Sequence, residues 1–317
     1  MIAKSHARAL AFSLLMARTM LRSTSFLCLL SSSALAGSLS TPVVGGTEVP
    51  HGTWPDTVAV IGKQGLCSGT LIAADLVLTA GHCIGIEPYA VIVDTIDYTS
   101  PGGDRRDVKW ARAYPDWEST YDVGILMLEN PVAVQPRAVA QACKLAAAMP
   151  VQVVGFGLTT EAGIGANTRL HQATIPVVDA TCTRDPVCAT SVAPGGEFTA
   201  GGRGADSCFG DSGGPVFMDT KHGAALIGVV SRATGTESAP CGGGGVYVRA
   251  DKVVPWIEKQ SGRKLVRAKC DGPADDAGAV DDEGGCSAGG GVLESGFAIV
   301  FAAMAIVSLR RRSKRRS

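Results

Sequence analysis

The stretch DSCFGDSGGPVF, Asp206–Phe217, sets a serine after an aspartate and ahead of two glycines. Gly210, Asp211, Ser212, Gly213 and Gly214 follow one another without a bulky side chain. Such a run suits a tight turn, a linker or a Gly-rich metal loop. It equally suits a nucleophile held in a strained turn, with backbone N–H groups left to bind an anion. The rest of the chain has to choose between these readings.

The chain has 317 residues, of which 46% are apolar, enough for a folded body with a sizeable core. It carries 40 glycines and only 18% charged residues, a balance that leans towards all-β folds with many turns. Lys+Arg and Asp+Glu both number 29, so nothing points to nucleic acid as a partner.

Both ends read as addresses rather than fold. Lys4, Arg8, Arg18 and Arg22 precede the apolar run FLCLL, and Ala34 and Ala36 fit a signal-peptidase site, so residues 1–36 are expected to be a signal peptide. Met20 would start a signal of more ordinary length, and Ser25 argues against a lipid-modified Cys28. Residues 263–285 turn acidic, small and Gly-rich, and read as a linker. The run Val292–Leu309 follows, closed by RRRSKRRS. Its eighteen residues span roughly 27 Å as a helix, close to the roughly 30 Å of a bilayer's hydrocarbon, with the basic end cytoplasmic.

Between Val43 and Gly262, short apolar runs alternate with Gly, Pro, Asn and Asp. Thr70–Ala80, Tyr89–Val93, Val123–Leu128, Val151–Gly157, Ala173–Val178, Gly214–Phe217, Ala224–Ser231 and Gly245–Ala250 read as strands of a sandwich or of barrels. Lys252–Ser261 reads as a helix, with Val253, Val254, Trp256 and Ile257 on one face, Pro255 in its first turn and Gly262 as its stop. Of ten cysteines, Cys28 leaves with the signal and Cys286 lies in the tail. Eight remain, an even number in an exported chain, and no C-x-x-C pair suggests zinc.

Two further stretches bear on Ser212. LTAGHC, Leu78–Cys83, sets His82 beside Cys83, and YDVGILML, Tyr121–Leu128, sets Asp122 at the mouth of an apolar strand. A carboxylate entering such a strand is partly buried and needs a partner, for which an imidazole N–H serves. Acyl transfer needs a nucleophile, a base and a group that orients the base, and Ser212, His82 and Asp122 supply all three.

With VVGG (Val43–Gly46), GFG (Gly155–Gly157) and GVYV (Gly245–Val248), these motifs resemble the trypsin/chymotrypsin-type serine proteases, in order and approximate spacing, over about residues 43–262. The resemblance implies two six-stranded antiparallel Greek-key barrels and a C-terminal helix, and a serine endopeptidase that needs no cofactor and acts on proteins or peptides. It implies Ser212 as nucleophile, His82 as base and Asp122 as its orienter, with the N–H groups of Gly210 and Ser212 as oxyanion hole. Asp211 would receive a new amine at Val43 once the propeptide 37–42 is removed. GSLSTP (Gly37–Pro42) holds no Lys or Arg, so another protease is expected to cut Pro42–Val43. Asp206 would floor the primary pocket and select Arg or Lys, with Ser231, Ala233 and Gly245 around it. Arg232 stands where a Trp is usual and Ala233 where a Gly is usual, which puts positive charge and a methyl near the substrate path. An elastase-like or chymotrypsin-like preference is the rival specificity. A catalytically silent homologue acting as a surface binding module is the rival function.

The resemblance also implies Cys67–Cys83 and Cys208–Cys241 disulfides. Cys182–Cys188 and Cys143–Cys270 are the pairings proposed for the rest. Glu87 and Asp94 lie where some relatives bind calcium, but no ligand series accompanies them and no metal is expected. The tail resembles the MYXO-CTERM sorting signals: GGCS, a hydrophobic helix and an Arg cluster. This implies processing at Cys286 by a sorting protease within residues 286–317 and export to the cell surface or release; a permanent single-span anchor is the other reading, and a monomer is expected.

Overall fold

The computed structural model describes residues 43–234 and 239–270, together with the backbone of 274–275. The signal, propeptide, Cys286 and tail readings lie outside the described residues. Among the described residues no helix is long and apolar enough to cross a membrane.

Among the described residues sixteen strands follow in chain order: β1 (Thr47–Glu48), β2 (Thr57–Gly62), β3 (Gly65–Ala73), β4 (Leu76–Thr79), β5 (Pro88–Val93), β6 (Asp104–Ala113), β7 (Gly124–Leu128), β8 (Val139–Gln141), β9 (Pro150–Gly155), β10 (His171–Asp179), β11 (Glu197–Ala200), β12 (Pro215–Thr220), β13 (Gly223–Ala233), β14 (Gly245–Arg249), β15 (Arg267–Lys269) and β16 (Ala274–Asp275). Among the described residues one α-helix, α1 (Ala250–Ser261), follows β14.

The first barrel closes in the order β2-β3-β4-β7-β6-β5. All its pairings are antiparallel. Val58, Val60, Leu71, Val77, Val91 and Leu126 share one apolar cluster in it. The second runs β9-β10-β11-β14-β13-β12 and closes on itself through Val216 opposite Val153. Val153, Ile175, Phe198, Val216, Ile227 and Tyr247 share its cluster. A third cluster joins both barrels to the helix: Leu76, Leu78 and Ile125 meet Val154, Phe217, Leu226 and Val248, with Val253, Val254 and Ile257 of α1. Apolar burial therefore joins the two barrels, the main source of stability for such an interface.

Three expectations change in detail. The run Thr70–Ala80 divides into β3 and β4 at Ala74–Asp75, where Leu128 N–H bonds Asp75 O and Val132 N–H bonds Ala74 O instead. Helix α1 begins two residues before Lys252, so Pro255 lies in its second turn. Buried Ala250 packs in the shared cluster and draws the helix start back to the end of β14. Gly262 ends the helix in the left-handed region, φ 69°, its N–H on Glu258 O. The body also runs past Gly262 into the stretch read as linker. Leu265 and Ala268 are buried, β15 pairs in parallel with β8, and Cys270 is joined to Cys143.

Candidate active site

Each barrel brings one half of the site. The end of β4 leads into a one-turn 3-10 helix, His82–Ile86, which starts with His82. Cys83 in that turn is joined to Cys67 of β3, which staples the turn to its barrel. Asp122 lies two residues before β7, the neighbour of β4. Its Oδ2 accepts from His82 Nδ1 at 2.8 Å and its Oδ1 from the His82 backbone N–H at 2.9 Å. Ser231 Oγ donates to Oδ2 at 2.7 Å. Burial pushes the Asp122 carboxyl up, but the hydrogen bonds and charge of His82 and the Ser231 hydroxyl outweigh it and hold it below the usual carboxylate range. With Nδ1 engaged, Nε2 is the ring nitrogen left for other chemistry.

Ser212 comes from the second barrel, in the turn that leads into β12. Gly210 and Gly213 there have φ 96° and 78°, open to glycine and costly for other residues. The Phe209 carbonyl accepts from Leu158 N–H at 2.8 Å, and the Asp211 carbonyl from Gly214 N–H at 2.8 Å. In a trans peptide C=O and N–H point opposite ways. Fixing those two carbonyls therefore aims the N–H groups of Gly210 and Ser212 away from them. Neither N–H has a protein acceptor among the described residues. Ser68 of β3 clamps the turn from the first barrel. Its Oγ donates to Gly210 O at 2.8 Å and accepts from Phe156 N–H at 3.0 Å, and its own N–H donates to Ser212 O at 2.9 Å.

His82, Asp122 and Ser212 all line one open cavity of about 520 Å³. Ser231, Arg232 and Ala233 form another part of its wall, and Trp117 and Phe209 add aromatic surface. Asp206 and Gly245 lie behind the wall. Asp206 is 0% exposed and accepts from Tyr247 OH at 2.8 Å, Gly244 N–H at 3.0 Å, and the Ser207 N–H at 2.6 Å. Burial pushes its carboxyl up to about 6, against those donors. Its chain neighbour Ser207 lines the cavity, and Asp206 itself is not among the lining residues.

Arg232 does not stand free in the substrate path. It is held by Glu197 of β11, Nη1 to Oε1 at 2.8 Å and Nη2 to Oε2 at 2.9 Å. Asp211 is also fully buried and accepts from Gly157 N–H at 2.8 Å and Cys208 N–H at 2.9 Å. Burial pushes it up to about 7. Val43, the first described residue, is buried in the second barrel's cluster, and Val44 O accepts from Asp206 N–H at 3.0 Å.

Cys182 is joined to Cys188 and Cys208 to Cys241. The Cys67, His82 and Cys83 ligand atoms lie together, but both sulfurs are spent in the disulfide and offer no thiolate to a metal. Glu87 is engaged by Lys63 and Gln64, each at 2.8 Å.

Sequence reasoning missed Ser68, Trp117, Phe209, Tyr247 and Glu197. For Glu197 a signal existed: a carboxylate opening the apolar strand EFTA requires a partner cation, and Arg232 within β13 is one.

Two six-stranded barrels, with a His–Asp pair from one and a serine turn from the other on a shared cleft, define the trypsin-like class of serine proteases. The trypsin family model matches residues 43–257, and the chain belongs to that family. A protein named Trypsin from Saccharopolyspora erythraea is 34% identical over 225 residues, 65% of this chain and 92% of that protein. Protein masquerade from Drosophila melanogaster is 31% identical over 253 residues, 72% of this chain but only 24% of that longer protein.

Proposed function

We propose that this chain is an exported serine endopeptidase that cleaves proteins or peptides after Arg or Lys. Ser212 Oγ attacks the scissile carbonyl while His82 Nε2 takes its proton. The Gly210 and Ser212 N–H groups hold the tetrahedral oxyanion. His82 then gives the proton to the leaving amine, which frees the new N-terminus and leaves an acyl ester on Ser212. Water, deprotonated by His82, hydrolyses that ester and restores Ser212. The observation that carries this reading is the fixed orientation of the Gly210 and Ser212 N–H groups beside a histidine whose Nδ1 is held by Asp122. Export is supported by the charged and apolar leader and by four disulfides. Surface sorting at Cys286 rests on the tail sequence.

Peptide-library profiling of the chain beginning at Val43 tests it. Cleavage after Arg or Lys is expected, and KM for these substrates should rise as pH falls through about 6, because Asp206 then takes up a proton. Asp206→Ser should lower kcat/KM for them by roughly 100-fold or more, with the carboxylate partner of the substrate cation gone. Cleavage elsewhere would retain the mechanism and remove the basic preference. A folded chain that no fluorophosphonate labels would be a silent binding module.

The same reading makes Val43 a switch, whose new amine would pair with Asp211. In the uncut chain Asp211 holds its proton up to about pH 7, whereas the unfolded chain releases it near 4. The folded state then binds the extra proton, so stability falls as pH rises from about 4 to about 7, by at most about 4 kcal/mol. A cation beside Asp211 depresses its pKa and removes that loss. Urea denaturation at pH 5 and pH 8 should show the uncut chain losing more stability than the chain cut at Pro42–Val43. Equal losses would mean that the amine does not reach Asp211.

A further inference from the structure

The carboxylate that orients His82 stands at the end of a longer chain of hydrogen bonds. Ser231 donates to Asp122, and Arg232 Nη1 donates to Ser231 Oγ at 3.0 Å. The guanidinium is itself fixed. Both Glu197 oxygens hold it, and Val187 O accepts from its Nε at 2.9 Å and Nη2 at 2.6 Å. Glu197 is 1% exposed and also accepts from Ala189 N–H at 2.8 Å. Arginine has donors only, and a hydroxyl has one proton. With Arg232 on its oxygen, Ser231 has no choice of direction: its proton goes to Asp122.

We propose that Arg232, anchored by Glu197, is a positioning residue that acts through Ser231 to hold the Asp122 carboxylate and set the pH range in which His82 works as a base. The proposal rests on the protease reading above. Asp122 directly meets His82 and Ser231, with Arg232 and then Glu197 behind Ser231. The neighbouring titratable group is Tyr121, which interacts with Tyr114, Asp251 and Glu197. Apart from His82 itself, of these only Arg232 adds positive charge next to the Ser231–Asp122 bond.

The sign follows from charge. Arg232, bonded to Ser231 Oγ, stands nearer Asp122 than its partner Glu197 does, so removing the pair and loosening the Ser231 bond leaves Asp122 more basic. It then grips a protonated imidazole more tightly, and more alkaline solution is needed to free the base. Arg232→Met removes the donor, and Glu197→Gln in the same chain prevents a buried carboxylate from losing its partner while an acceptor stays for Ala189 N–H. In Arg232→Met/Glu197→Gln the acid limb of kcat/KM should move up by about half to one pH unit. The downfield proton resonance of His82 Nδ1–H should titrate over the same higher range. Arg232→Lys, with its charge kept, should restore most of the wild-type profile.

A folded double variant, or Arg232→Ala should the double variant not fold, whose acid limb and resonance coincide with wild type would overturn the proposal. So would a Lys variant as shifted as the Met variant, since charge would then be irrelevant. The resonance needs no turnover. Wild-type protein that fluorophosphonate fails to label, but whose resonance still moves in the variant, would remove the protease reading and leave the relay standing.

Discussion

Ser212→Ala is expected to lower kcat by roughly 10⁵–10⁶-fold while KM and the fold stay nearly unchanged. The Ser212 side chain makes no hydrogen bond among the described residues; its neighbours hold the backbone carbonyl, through Ser68 N–H at 2.9 Å. Removing Oγ therefore orphans no buried group, and melting should shift by no more than the roughly 0.5 kcal/mol of an ordinary surface change. The N–H pair that would hold the oxyanion survives too, so residual catalysis above water of roughly 10³–10⁴-fold should remain. His82→Ala should cost about as much as Ser212→Ala, and the double variant no more than either, because nucleophile and base act as one unit. Single-turnover kinetics with a peptide ester and fluorophosphonate labelling would check this. Retention of more than a few per cent of activity by Ser212→Ala would rule out Ser212 as nucleophile.

What could be read from the residues was local. The turn at Ser212, His82 beside Cys83, and Asp122 ahead of VGILML each carry their chemistry within a few positions. The strands recognised were apolar ones, although β2, TVAVIG, as apolar and as buried, was not among them. Strand β6, DRRDVKWARA, escaped because Arg105, Asp107, Lys109 and Arg112 point to solvent while the alternate residues are only half-buried. Strand β11 escaped because its four buried residues open with Glu197. The residues that complete the site depend on partners far along the chain. Ser68 acts on Gly210, 142 positions away, and Glu197 on Arg232, 35 positions away. A local pattern shows at most that Glu197 needs a cation, and not which one. Asp206 shows the same limit from the other side. Its place before Ser212 was legible, but the Tyr247 hydroxyl that holds its carboxylate lies 41 positions on.

Gly213→Ala should be the most damaging single methyl in the described body, because it strikes both the fold and the site. Gly213 sits at φ 78°, and its N–H donates to Val230 O at 2.8 Å, so the turn is pinned to its own barrel and cannot swing aside. A Cβ there would lie 2.0 Å from Thr79 Oγ1, 2.5 Å from Ser68 O and 2.6 Å from Ala80 N, all in the first barrel. Two of those three atoms are backbone, and Thr79 Oγ1 is itself bonded to Ser68 O at 2.8 Å. The methyl can therefore be seated only by separating the barrels where Ser212 meets the His82 turn. Left-handed strain and overpacking together should cost roughly 3–5 kcal/mol, a fall in melting temperature of roughly 10 °C. In whatever folds, kcat should fall more than 100-fold, since a displacement of about 1 Å between nucleophile and base is enough for that. Gly223→Ala is the control: φ there is 102°, but nothing lies within 4 Å of its Cβ, so it carries backbone strain without the clash. Thermal melts and kcat of the two variants separate strain from contact, and equal damage in both would show that the barrels do not meet at Gly213.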